Sequence, residues 1–198
     1  MLGFGGLSSG GVPLAVQCRP WDYHAALVDN LVVLFTLVQI QKLYFVNPTT
    51  SIGMLLDFLR YLPNLTILLI QSMSLDKSLC LNDEDEEIYR SLSTNNQIKL
   101  VHLQGITELT QIQFLLDLCP SLKCLIIGIS SRLDTTALFE FVLFKNYERV
   151  SRLLVVIQIR EPCQKTFTLA QSMLRSDERY NKHSITLIGN RIKIRKCT

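Results

Sequence analysis

Two segments of the chain superpose on a shared proline. Counting back 11, 8, 5, 4 and 1 positions from Pro63 and Pro120 gives Ile52 and Leu109, Leu55 and Ile112, Phe58 and Leu115, Leu59 and Leu116, and Leu62 and Cys119. Counting forward 2, 5 and 7 positions gives Leu65 and Leu122, Leu68 and Leu125, and Ile70 and Ile127. Every matched pair is apolar. The upstream spacings of three and four place these residues on one stripe of a helix. Proline then stops the helix, because it lacks an N–H and its ring clashes with the preceding turn. Downstream, Leu68 and Ile70, like Leu125 and Ile127, are two apart and share one face of a short strand. The unit is helix, proline stop, strand, and such a unit buries its apolar face only by stacking on a neighbour.

Similar strand patterns begin at Ile40, Ile98, Leu154 and Ile185. With Leu65 and Leu122 they recur every 24 to 33 residues or so, a period in the range of solenoid repeats. Thr135 to Tyr147, with Leu138, Phe141, Val142 and Phe144 as a buried stripe, and Phe167 to Arg179 read as the helices before the last two strands.

With an amphipathic helix before each, L-P-N-L-T-I-L-L-I at 62–70 and C-P-S-L-K-C-L-I-I at 119–127 resemble leucine-rich repeats of the helix–strand type. They are most similar to those of F-box leucine-rich-repeat proteins and ribonuclease-inhibitor-like solenoids. The resemblance spans about residues 38–190. It implies an α/β solenoid with parallel strands on the concave side, helices on the convex side and a C-terminal β-hairpin. Two features depart from the family. The Asn that usually follows the strand is replaced by Ser72 or Gly128, and no F-box is recognisable.

The ends differ from the repeats. Residues 1–20, rich in Gly and Ser, are expected to be a flexible arm, and residues 21–198 the solenoid. Trp21 to Leu37 is read as a helix capping the first repeat. Ile185 to Ile188, Gly189-Asn190 and Arg191 to Arg195 read as a hairpin, with Arg191, Lys193 and Arg195 expected on a charged edge strand. The acidic run 82–87 reads as the start of a helix whose dipole it complements, since the spacing of a calcium loop is missing.

Composition narrows the function. Hydrophobic residues make up 48% and charged residues 19% of the 198, which excludes a wholly disordered chain. Net charge is +3, so no strongly polyanionic partner is implied. Residues 1–99 carry 6 basic and 9 acidic side chains and residues 100–198 carry 14 and 8, placing the surplus of positive charge in the second half. The longest apolar stretch, Leu31 to Val38, is too short to cross a bilayer, and no secretory leader is evident, so a soluble chain is expected. Six cysteines without a Cys-x-x-Cys pair read as thiols, favouring an intracellular location, cytoplasmic or nuclear. Asn64-Leu-Thr66 has the form of a glycosylation sequon but is expected to be inaccessible.

No nucleophile elbow, zinc-binding helix or phosphate loop is present, so neither an enzyme nor a cofactor or metal is expected. A scattered catalytic site around His102 is the enzymatic alternative. The favoured reading is a protein–protein interaction module. The side chains alternating with the core positions would form its surface: Lys42, Tyr44, Leu69, Gln71, His102, Gln104, Ile126, Gln158 and Arg160. An inner face covered by another segment would read the same way, because strands buried on both faces are also continuously apolar. The partner's identity is open and nucleic acid is not favoured. The F-box resemblance implies a second role, as the substrate-recognition part of a ubiquitin-ligase adaptor that contacts ligase subunits.

Overall fold

The helix–turn–strand unit recurs along the computed structural model, which describes residues 12–16, 40–46, 50–74, 83–129, 133–145, 147–150, 152–159, 164–180 and 183–196. In chain order the elements are β1 (Val12–Val16), β2 (Ile40–Phe45), β3 (Thr50–Ser51), α1 (Ile52–Arg60), β4 (Ile67–Ser74), α2 (Asp83–Asn95), β5 (Leu100–Ile106), α3 (Leu109–Leu118) and β6 (Cys124–Ile129). Then follow α4 (Thr135–Glu140), a π turn (Phe141–Lys145), α5 (Tyr147–Val150), β7 (Leu154–Gln158), α6 (Gln164–Ser176), a 3-10 turn (Glu178–Tyr180), β8 (His183–Ile188) and β9 (Arg191–Lys196). The class is α/β, with one mostly parallel sheet in the order β1-β2-β4-β5-β6-β7-β9-β8 and β3 paired to the end of β4. From β1 to β7 the neighbours are parallel, while β9 runs against both β7 and β8.

Both prolines occupy the second position of a tight turn, where their fixed φ is favoured. Leu65 N–H donates to Leu62 O at 3.1 Å, and Leu122 N–H to Cys119 O at 3.3 Å. Leu153 N–H bonds Val150 O in the same way at 2.9 Å, so the unit ending in β7 keeps the turn without a proline. Between α2 and β5 a side chain takes over. Asn96 donates from Nδ2 to Leu92 O at 2.8 Å and to Leu118 O, and its Oδ1 accepts from Ile98 N at 3.2 Å. The unit start is also stitched laterally: Thr66 N–H bonds Gln41 O at 3.0 Å, Lys99 N–H bonds Thr66 O at 2.8 Å, and Lys123 N–H bonds Lys99 O at 2.8 Å.

Strand register aligns the apolar positions into two continuous rows. Leu43, Leu68, Val101, Leu125, Val155 and Ile194 are successive partners, as are Phe45, Ile70, Leu103, Ile127, Ile157 and Ile192. None of the twelve is more than 2% exposed. They pack with Leu55, Leu56, Phe58 and Leu59 of α1, and with Ile112, Leu115, Leu116 and Leu118 of α3, in a single core. Phe45 meets Phe58 edge-to-face at 5.5 Å. Because alternate strand residues point to opposite sides, burial of this one set puts the described helices against one face of the sheet. Buried Gln111 closes the layer: it donates to Met73 O, and its Oε1 accepts from Thr107 N at 3.0 Å and Glu108 N at 3.3 Å.

Several expectations need correction. Within the arm expected over 1–20, Val12–Val16 is a strand parallel to β2; the remainder of that arm, and the capping helix expected at Trp21 to Leu37, lie outside the described residues. The hairpin is present with Gly189 at φ 59°, but its second arm is not the edge. β9 inserts between β7 and β8 because Ile192 and Ile194 continue the two buried rows, and β8, which has no Lys, Arg, Asp or Glu, takes the edge, with Ile188 58% exposed. The helix expected over Thr135 to Tyr147 is divided by the π turn, whose wider winding buries Val142 and Leu143. Buried Tyr180 donates its hydroxyl to Leu143 O in that turn. The α6 helix begins at Gln164 rather than Phe167. The strands after the prolines start at Ile67 and Cys124, so Leu65 and Leu122 anchor the turns instead. Asn64, expected to be inaccessible, is exposed at the turn.

Truncating the first buried row at its centre, Leu125→Ala, is expected to lower the unfolding free energy in urea by roughly 2–5 kcal/mol. At Gly128 an added Cβ would stand 2.2 Å from Gln104 O, so Gly128→Ala should also lower the midpoint. Asn64→Ala, at an exposed turn, is the control expected to leave it unchanged.

Candidate functional site

The sheet face away from the helices carries three rows of side chains. The first joins Lys42, Ile67, Leu100, Cys124 and Leu154. The second joins Tyr44, Leu69, His102, Ile126, Val156, Lys193 and Thr186. The third, at the carboxyl ends of the parallel strands, includes Gln71 and Gln104, which precede and follow paired positions, and Gly128, Gln158 and Arg191. Ile67, Leu69, Leu100, Cys124, Ile126 and Leu154 are half-buried, in contrast to the closed rows on the other side of the same strands. From β2 to β9 the patch spans roughly 24 Å across the strands.

Each residue expected at the surface can now be placed. Tyr44, Leu69, His102 and Ile126 are register neighbours in the middle row, half-buried. Gln71 and Gln104 are exposed and Gln158 is half-buried, all along the carboxyl end of the sheet. Arg160 lies outside the described residues. The sequence reading passed over Ile67, Leu100, Cys124, Leu154 and Val156, although each is two residues, or for Leu154 four, from an expected position and so shares its face. It also assigned Arg191 and Lys193 to an edge rather than to this face.

His102 sits at the centre of the patch. Burial holds its imidazole below the ordinary value of 6.5, Gln158 opposes this through a side-chain hydrogen bond, and the positive charge of Arg191 lowers it further. Its Nε2 is shielded from water without a hydrogen-bond partner. The groups acting on it are thus an amide and a cation, which supply neither a general base nor a nucleophile. Cys124, in the row below, has its thiol raised by burial, and Cys119, closed within the core, is pushed up to about 12. Neither is poised as a thiolate.

Concavities lie on the helix side. A groove of about 380 Å³ between α1 and α2 is lined by Arg60, Glu84, Glu87, Ile88, Ser91 and Leu92, with Arg60 and Glu84 paired at 3.5 Å. Another, of about 200 Å³, lies near Pro120 and Arg149. Among the described residues no group of three His, Cys, Asp or Glu side chains could hold a metal ion, and no helix is long and apolar enough to cross a membrane.

A depressed imidazole has a definite linkage consequence. Below 6.5 the unfolded chain takes up a proton that folded His102 resists, so stability falls as pH drops through 6.5 towards the folded value and is level above it. A proton NMR titration should place the His102 midpoint below 6.5, and His102→Asn should flatten the acid-side loss of stability. A midpoint at or above 6.5 would contradict the placement. Alkylation followed by mass spectrometry at about pH 8 should modify half-buried Cys124 before Cys119, which needs unfolding to react.

Comparison of the chain with protein-family models, curated proteins and solved structures finds no match.

Proposed function

We propose that the chain is a non-enzymatic protein–protein interaction module that holds a partner against its open sheet face. The observation that carries this reading is a contiguous set of aliphatic side chains left half-exposed on the face that the described helices do not cover: Ile67, Leu69, Leu100, Ile126 and Leu154. The glutamines at the carboxyl end add hydrogen-bonding groups at the margin, giving the apolar centre and polar rim of a protein interface. We further read the array as stacked units of the leucine-rich type, closed at one side by a hairpin. The consecutive order of the parallel strands and the turn bond repeated at Leu65, Leu122 and Leu153 support that reading.

Charge placed in this centre separates a binding surface from a core. Leu69→Asp combined with Ile126→Asp is expected to change the unfolding free energy by less than about 1 kcal/mol, the scale of substitutions outside a core. The same variant should lose the partner that cross-linking recovers with the unaltered chain. Destabilisation by several kcal/mol would show that these side chains are interior and would sink the proposal.

A further inference from the structure

Building on that module reading, we propose that the open face selects an acidic segment of a partner protein, with carboxylates at both ends of an apolar stretch. No described strand contains Asp or Glu; the described carboxylates all lie on helices, turns and loops. The charges the strands bring to the open face are therefore of one sign. Lys42 stands at the β2 side of the aliphatic rows. Arg191, Lys193 and Arg195 stand at the β9 side, alternating with Ile192 and Ile194, which are turned into the core. Lys193 is itself a member of the middle row, paired with Val156, so this cationic flank adjoins the aliphatic centre.

An aliphatic strip with cations at both ends complements apolar anchors with carboxylates on either side, and it disfavours a basic partner by like-charge repulsion. The separation, roughly 24 Å between β2 and β9, is the length of about sixteen residues of helix. The patch's three rows span roughly 13 Å along the strands, so it covers only about 300 Å² against the ~800 Å² that each side of a standard interface buries, which favours a segment over a whole domain. A phosphate backbone is also anionic, but the middle row offers rings only at Tyr44 and His102, separated by Leu69 and followed by Ile126 and Val156, where a single strand would need successive aromatic platforms.

Three fluorescent peptides of sixteen or so residues test this, each with leucines along one helical face and with Glu, Gln or Lys at both ends. By anisotropy at low salt the Glu peptide should bind the full chain about tenfold more tightly than the Gln peptide, the sum expected of a few exposed charge pairs. The Lys peptide should bind weakest, and the gap should close in about 0.5 M salt, where screening acts within roughly 4 Å. Arg191→Gln with Lys193→Gln and Arg195→Gln should make the Glu and Gln peptides equal. Should that variant fail to fold, Arg191→Gln with Arg195→Gln at the two exposed positions should still narrow the gap.

Equal binding of the Glu and Gln peptides by the unaltered chain overturns the charge selection. If Leu69→Asp still abolishes that binding, the module reading survives. Failure of all three peptides to bind overturns both. A single-stranded oligouridine that binds more tightly than the Glu peptide overturns the proposal in favour of a phosphate ligand.

Discussion

Two rows of aliphatic side chains, one running from Leu43 to Ile194 and the other from Phe45 to Ile192, tie each unit to the next. Backbone hydrogen bonds fix the strand spacing, but they are blind to which face is covered; the rows supply that information. Each strand contributes one residue per row, so a register slip by one position would turn its core residues towards the open side. That penalty is shared by every neighbour. The π turn, the Asn96 bracket and the Gln111 contacts are local devices that let chain segments of unequal length deliver their strands into the same two rows.

One-sided burial determines the character of the other face. The same strands that close the core leave Leu69, His102 and Ile126 side by side and half-exposed. Water-facing strands usually alternate apolar with polar residues. Here β4 and β6 are apolar on both sides over the middle rows, and only their carboxyl ends become polar or carry glycine. Cations enter from the strands at the two sides, while the described carboxylates lie on the helical side and the connections, together with cations such as Arg60, Arg90 and Arg149. Among the described residues, one surface therefore carries charges of one sign and the other a mixture of both.

Much of this was written locally in the chain. Pro63 and Pro120, with apolar residues at matching offsets, identify the helix, the turn and the strand after it, because each of those features depends on a few neighbouring residues. Alternation from Leu68 and Leu125 was enough to place Leu69 and Ile126 on the opposite face. What escaped depends on distant contacts. Val12–Val16 is short and contains Pro13, so nothing nearby marks it as a strand; β2 supplies its pairing. The two-residue β3 likewise depends on Met73 and Ser74. The insertion of β9 between β7 and β8 rests on Ile192 and Ile194 finding Ile157 and Val155, a match between residues dozens of positions apart. The charge of the site was illegible for the same reason, since Arg191 and Lys193 belong to it only through that insertion.

The reversal at β9 gives the sheet a closed side. The parallel strands share a direction and a lateral bond at their start, although Asn96 replaces the turn before β5. On the far side of β7 that equivalence ends, because β9 presents an oppositely directed partner. A further parallel strand beyond β7 would have to displace the hairpin, so the antiparallel β9 sets the side at which the parallel part of the sheet stops.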